Sequence, residues 1–576
     1  QWDSIDGTIL ADNKIRATLG ALKATPLMVD GVLYLSTSLS QVVALDAGTG
    51  KQLWSYDSGS WKDGRPANLG FIHRGVSYWN DRDEQRIIIA TGNSKLIALN
   101  PKTGKLLPDF GDNGKVDLLL GLNKPARVGI HQVNSPPVIC NDVIVVGSVI
   151  MDRPTLQSYV RGDVRGYDVR TGKKLWQFHS IPQEGEFGND TWESDAWKIA
   201  GSTNVWSMIS ADEELDYVYL PFGAATNDFY GGHRPGDNLF ATSLVCLNAK
   251  TGERVWHFQT VHHDLWDYDL PCAPNLVDIT VDGKDIKAVA QVSKTGYTYV
   301  FDRVTGEPVW PIPEVAVPQS TLPGEQSSPT QPIPTKPPPF ATQGITEDTI
   351  IDFTPELKEE ALKILEDYDH GPIFTPATER GLAMTPGDGG GANWMGASWD
   401  PESSLLYVPS ISYVTLIKLI KPDPNRSDMR YVVEGYTGQL PGPQGLPLIK
   451  PPYGKVTAID LSNGTHAWNT PIGKGLEANP KVKELGLNIA PTGGGGWMFP
   501  LATKTMLLGA HTSNLLALDK KTGEQTGELP IVGMEGSMLG HVTGAPITYM
   551  HKGKQYIVAS VTGRQSKGYV IALTLP

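Results

Sequence analysis

One pattern recurs along this chain and restricts its fold more than any other. An apolar, strand-like run ends in Asp or Asn, two residues follow, then Thr-Gly or Asn-Gly, and often a Trp. It occurs seven times, as VVALDAGTGKQLW, LIALNPKTGKLL, VRGYDVRTGKKLW, LVCLNAKTGERVW, TYVFDRVTGEPVW, VTAIDLSNGTHAW and LLALDKKTGEQT, with turn residues Asp46, Asn100, Asp168, Asn248, Asp302, Asp460 and Asp519. Each unit reads as strand, tight turn, strand, because apolar alternation runs into a turn whose Gly can take a positive φ. A small unit repeated in this way means an array of sheets. The interval from Asp302 to Asp460 is 158 residues, about twice the others, and SWDPESSLLYVPS in its middle reads as a degenerate unit that makes eight.

The chain's last residues, YVIALTLP, repeat the first half of the unit and stop. A final strand completing a sheet begun near the N-terminus would close a ring and remove sticky sheet edges. The expected fold is all-β: a single eight-bladed β-propeller over residues 1–576, with four-stranded antiparallel blades. An open solenoid would need caps at both ends, and none is visible. The Trp after the turn (Trp54, Trp176, Trp256, Trp310, Trp468) is expected to pack between blades and to reach a backbone carbonyl. One insertion, 311–370, combines a Pro-rich stretch (PIPEVAVPQS, TQPIPTKPPPF) with a helix expected over Thr354–Tyr368, Thr354 being its N-cap. Loops on one face of a rigid scaffold are where a site would be built.

The composition agrees and removes several function classes. Gly 62 and Pro 44 suit a turn-rich chain, and 19% charged residues argue against a helical bundle. A net charge of −13 offers no field for phosphate backbones, so no nucleic-acid partner is expected. Three scattered cysteines form no framework, and Cys140 and Cys246 lie in apolar runs as small buried hydrophobes. No CxxCH is present, so no c-type haem is attached. The longest apolar run, Val143–Met151, is far short of the roughly 20 residues that span a bilayer, so no membrane-spanning helix is expected.

Several blocks in order, ATPLMVDGVLYLSTSLSQVVALDAGTG, FIHRGVSYW, TVHHDLWDYDLP, SKTGYTYVFDRVTGE and TQPIPTKPPPF, resemble the quinoprotein alcohol and sugar dehydrogenases, which use pyrroloquinoline quinone (PQQ). The resemblance implies roles for individual residues. Asp267, in HHDLWDYD, would be the carboxylate that removes the substrate's O–H proton. Lys294 would stabilise negative charge on the cofactor's oxygens. Trp206 would supply a flat floor, Arg74 would pair with a cofactor carboxylate, and Asn134 and Asn393 would make polar contacts. His262 and His263, adjacent as if in a strand, are expected to make structural hydrogen bonds and not to chelate one ion.

The metal reading departs from the family pattern. Asp152 falls at a metal-binding carboxylate position, but a second ligand position is Ala224, so Asp267 and Asp269 are expected to complete a set of hard oxygen donors. Ca²⁺ is the expected ion, as a Lewis acid, with a lanthanide the lesser choice. The vicinal cysteine pair of many family members is replaced by Asn68 and Leu69, and a His by Gly70, which suggests space beside the cofactor. The expected reaction is oxidation of a secondary or cyclic alcohol, such as a sugar, polyol or bulky terpenoid-like ring. The electrons would pass to an external cytochrome c or membrane quinone, and the resemblance places the protein outside the cytoplasmic membrane. The competing readings are a dehydrogenase of simple primary alcohols and a non-catalytic propeller scaffold.

Overall fold

The computed structural model describes all residues except 14–18, 435–437, 534–535 and 576. Eight small antiparallel sheets follow one another along the described chain. Blade 1 pairs Leu27–Val29, Val32–Ser36, Val42–Asp46 and Gln52–Tyr56 in sequence order, and this meander repeats. Blade 5 is the shortest, with three strands (Asn275–Val281, Lys284–Val292, Thr298–Asp302) and a single bridge from Phe301 to Pro308 where a fourth would run. Blade 8 is built from both chain ends: Ile547–His551, Lys554–Thr562 and Gly568–Thr574 are joined by Trp2–Asp3, with Trp2 opposite Val570. The ring therefore closes in the opposite sense to the expected one: the N-terminal strand completes a sheet made by the C-terminal strands, while blade 1 is complete without them.

One expectation needs correction. SWDPESSLLYVPS is not a blade of its own. Ser398–Asp400 and Leu405–Ile411 are the inner half of the blade whose outer half, Gly454–Asp460 and Thr465–Pro471, carries the Asp460 turn. The eighth blade is the one that unites the termini.

The repeated turn works as its chemistry suggests. Asp46 Oδ1 accepts hydrogen bonds from the N–H of Gly48 (3.1 Å) and Thr49 (2.8 Å) and from the Thr49 hydroxyl (2.8 Å), and Asp168 repeats the pattern with Arg170 and Thr171. The turn glycine is needed twice over. Gly252 has φ +73, and a Cβ there would lie 2.5 Å from the indole of Trp176 in the preceding blade. Trp176 Nε1 donates to the Ala249 carbonyl at 2.8 Å, while Trp54, Trp256 and Trp468 reach Pro101, Arg303 and Lys520 in the next blade. Each such indole presses on the next blade's turn glycine and bonds its backbone, so blade-to-blade docking is directional as well as apolar.

In a meander of this kind, the Asp-x-x-Thr-Gly turns lie at one end of the ring. Connections between blades, and between second and third strands, lie at the other. The connection 311–397, which contains the insertion, belongs to that second end. Its Pro-rich part forms a short hairpin, Glu314–Ala316 with Thr330–Pro332, and its helix is Pro355–Leu365, capped by the Thr354 hydroxyl on Leu357 N–H (3.2 Å). Leu357, Ala361 and Leu365 bury against Leu446, Leu448 and Val482, which ties the insertion to other connections at the same end of the ring.

Candidate active site

Every candidate site residue expected from the sequence lies at that second end of the ring. Arg74, Asn134, Trp206, Asp267, Asp269 and Asn393 sit in connections between blades, and Asp152 and Lys294 in loops between second and third strands, where Asp228 joins them. They line two adjoining cavities. The inner one, about 140 Å³, is walled by Asn134, Asp152, Asp228, Asp267, Asp269 and Lys294. The outer one, about 480 Å³, is walled by Asn393, Trp394, Tyr413, Trp497 and Phe499. Leu69, Arg74 and Trp206 border both.

The HHDLWDYD block is shaped by its hydrophobic residues. Trp266 and Tyr268 are buried in an apolar cluster and anchored to the insertion, Trp266 Nε1 donating to the Thr375 carbonyl (2.7 Å) and the Tyr268 hydroxyl to the Pro386 carbonyl (2.8 Å). Buried Asp264 accepts from the N–H of Trp266 (2.9 Å) and from Thr242 (2.9 Å), and the Arg234 guanidinium donates to the Asp264 carbonyl (2.6 Å). The two carboxylates between these anchors, Asp267 and Asp269, face the inner cavity. Lys294 Nζ joins them: it lies 2.5 Å from Asp269 Oδ1 and 3.1 Å from Asp267 Oδ2, and donates to the Asp267 carbonyl at 2.7 Å. Trp206 Nε1 donates to the other Asp269 oxygen.

Four carboxylates border this inner cavity with few cations to offset them. Burial pushes Asp267 well above the usual carboxylate range; Lys294 pulls it back, and Asp269, Asp228 and Asp152 push it further. Burial, with Asp228 and Asp269, pushes Asp152 up to about 7, although its exposed surface faces the cavity. Burial opposes the Lys294 charge, but Asp267 and Asp269 outweigh it and hold the ammonium above its ordinary range.

The geometry revises parts of the sequence reading. Asp269 has both oxygens engaged, whereas Asp228, which the sequence did not point out, is nine-tenths buried with no hydrogen bond or ion pair among the described residues. Its signal lay in the same GAATND segment as Ala224. Gly70 opens no space: a Cβ there would meet the Arg65 side chain at 2.9 Å, and Leu69, 60% exposed, is the residue that faces the cavities. Asn68 fastens the metal-side loop, donating to the Ile150 carbonyl (3.0 Å) and accepting from Asp152 N–H (2.9 Å). The two histidines stand in a turn, His263 with φ +43, and both are used structurally: His263 bonds the Gly236 carbonyl (2.7 Å) and Glu325 (2.9 Å), and His262 bonds Gln259 and Glu314. Asn393 spends its side chain on Gly389 and Trp394 backbone.

Arg74 is the residue whose surroundings best fit an anionic ligand. It is buried, its guanidinium lies 5.0 Å from the Trp206 ring centroid and 4.9 Å from that of Trp394, and its hydrogen-bond partners, Asn134 (2.5 Å) and Ser135 (3.1 Å), are neutral. Its Nε has no hydrogen-bond partner among the described residues. A buried cation between two indoles fits a flat polycarboxylate such as PQQ. For a metal, the four Asp side chains offer the hard oxygen donors that suit Ca²⁺. Among the described residues, however, no three acidic, His or Cys side chains already converge as a closed cage.

The family model for the β-propeller domain of PQQ-dependent glucose/ethanol/alcohol dehydrogenases matches residues 2–557. The chain belongs to this family. Quinoprotein glucose dehydrogenase of Escherichia coli (strain K12) is 32% identical to it, over 96% of this chain and 72% of the relative. Quinate/shikimate dehydrogenase (quinone) of Acinetobacter baylyi is 33% identical, over the same shares of 96% and 72%. Among solved structures, quinohemoprotein alcohol dehydrogenase from Comamonas testosteroni shares the fold, with a TM-score of 0.67 at 22% identity over 97% of this chain and 75% of that one. This quinoprotein is thus an oxidoreductase, a PQQ-dependent dehydrogenase of the glucose/quinate/alcohol type.

Proposed function

We propose that this quinoprotein oxidises the hydroxyl of a ring alcohol, with Asp267 as general base. The observation that carries the reading is the placement of Asp267, one quarter exposed, at the cavity border shared by Trp206 and Arg74, beside an outer cavity walled by Trp394, Tyr413, Trp497 and Phe499. Aromatic walls around about 480 Å³ suit the faces of a cyclic substrate more than methanol or ethanol. Two relatives whose names give glucose and quinate or shikimate as substrates support the same class.

PQQ, when bound, supplies the two-electron acceptor for the substrate's hydride. Arg74, Asn134 and Trp206 would hold it, and Asp152, Asp228 and Asp267 would bind Ca²⁺. Asp267 accepts the alcohol proton at Oδ. Lys294 holds that carboxylate in place through its backbone carbonyl and Oδ2, and Trp206 and Lys294 together fix Asp269. Leu69 and the aromatic walls exclude water from the reacting groups. The electron acceptor is a separate cytochrome c or membrane quinone, and the protein acts outside the cytoplasmic membrane.

The test is dye reduction by the full chain with PQQ and Ca²⁺, or La³⁺ in parallel, over a panel of sugars, cyclic polyols, terpenoid alcohols and short primary alcohols. Turnover of ring alcohols is expected. Turnover of methanol and ethanol alone would overturn the substrate class.

A further inference from the structure

The segment 22–25 threads between blades 8 and 1. Leu22 N–H donates to Thr562 Oγ1 (2.8 Å), Thr543 Oγ1 to the Leu22 carbonyl (2.6 Å), Ser560 Oγ to the Ala24 carbonyl (2.6 Å), and Thr25 N–H to the Arg74 carbonyl (2.9 Å). Leu22 and Ala24 bury in the apolar cluster between those blades. Alternation along an extended segment turns Lys23 the other way, into the outer cavity. Its ammonium lies 5.4 Å from the Trp394 ring centroid, and the Arg74 guanidinium stands 4.9 Å from the same ring.

Two cations therefore share one indole, and neither has a carboxylate within ion-pair distance among the described residues. Among the described residues, no Asp or Glu lines the outer cavity; the site's described carboxylates all belong to the inner one. Burial, and then the charge of Arg74, push the half-buried Lys23 down to about 7. Holding two like charges in an aromatic cavity without a counter-charge is costly unless a ligand brings it.

We propose that Lys23 and Arg74 together form a carboxylate-binding site in the outer cavity. Only the two sources of that carboxylate, the cofactor and an acidic ring-alcohol substrate, rest on the function proposed above. Both ligands present a carboxylate on a ring, which two cations flanking an indole suit.

The experiment compares the wild-type full chain with Lys23→Met and Lys23→Arg, and with Lys23→Gln should the Met variant not fold. Tryptophan quenching gives affinities for PQQ and for benzene-1,3,5-tricarboxylate, a flat redox-inert probe. KM is measured for quinate and for glucose in PQQ-loaded enzyme. Loss of the ammonium should weaken the tricarboxylate at least tenfold, with Arg restoring it to within threefold. A matching loss in PQQ affinity makes the cofactor the source. Unchanged PQQ affinity with a tenfold rise in KM for quinate and none for glucose makes it the substrate. Unchanged probe, PQQ and quinate values in the variant would overturn the proposal, as would a wild type that binds no carboxylate at all. A wild type that binds the tricarboxylate through Lys23 but takes up no PQQ would sink the dehydrogenase reading and leave this one standing.

Discussion

Replacing Lys294 with Met removes the only cation among the described residues that touches Asp267 and Asp269. The ammonium stands 2.5 Å from one carboxylate and 3.1 Å from the other, and the three side chains are 6%, 6% and 25% exposed for Lys294, Asp269 and Asp267. Removing one partner from so buried a set costs about 3–5 kcal/mol, because the remaining charges lose both water and counter-ion. Asp269 should carry the larger share, since Asp267 keeps some solvent. Asp267, already pushed upward by burial, can escape part of the penalty by taking up a proton, so the loss should be larger at pH 8 than at pH 5. Adding Asp269→Asn removes one of the stranded charges, and the double variant should be about 1–3 kcal/mol more stable than the sum of the singles predicts. Urea unfolding of the four cofactor-free proteins at both pH values measures this cycle. A Lys294→Met protein as stable as wild type at pH 8, or a cycle additive to within about 0.5 kcal/mol, would refute the buried ion-pair geometry.

Asp267→Asn should lower kcat by about 10²–10⁴-fold, as expected for loss of a general base, while PQQ affinity changes little; stopped-flow reduction and quenching titrations separate the two. Trp176→Ala should cost about 3–5 kcal/mol in thermal or urea unfolding, since it empties the contact with Gly252 and removes the bond to Ala249. His73 is fully buried between Ser36 and the Ala90 carbonyl, and burial pushes it down to about 4. Its folded value lies below the unfolded one near 6.5, so the native state is favoured above that pH and loses up to about 3 kcal/mol as pH falls to 4. Unfolding from pH 7 to 4 should show a shallower decline for His73→Gln than for wild type.

The fold was legible because its stabilising contacts are periodic. Asp or Asn three residues before Thr-Gly or Asn-Gly caps a turn, the glycine takes its positive φ, and in five of the seven units a Trp follows to pack on the next blade, so local chemistry and ring packing write the same repeated signal. It failed where topology interrupts the period. The loop at 412–453 separates the halves of one blade, so Leu405–Ile411 looked like an independent unit. The true eighth blade lacks the signature because Trp2–Asp3 arrives from the other end of the chain and needs no turn. In the site, Asp267, Lys294, Arg74 and Trp206 came from a resemblance to a family, and the structure brings them to one pair of cavities. Lys23 and Trp394 carry no such signal, because they lie in irregular connections where only their contacts in three dimensions mark them, and Asp228 had only its place beside Ala224. Gly70 misled for a related reason: a missing side chain reads as space until a neighbour, here Arg65, is seen to fill it.

The central claim is that one PQQ binds against Trp206 and Arg74, where the two cavities meet, and takes electrons from an alcohol held by the aromatic walls of the outer one. Titrating the metal-supplemented full chain with PQQ should quench tryptophan fluorescence to an endpoint of one cofactor per chain, and adding a ring alcohol under anaerobic conditions should convert the bound cofactor's spectrum to its reduced form. No saturable uptake with Ca²⁺ or La³⁺, or uptake that no alcohol ever reduces, would contradict it.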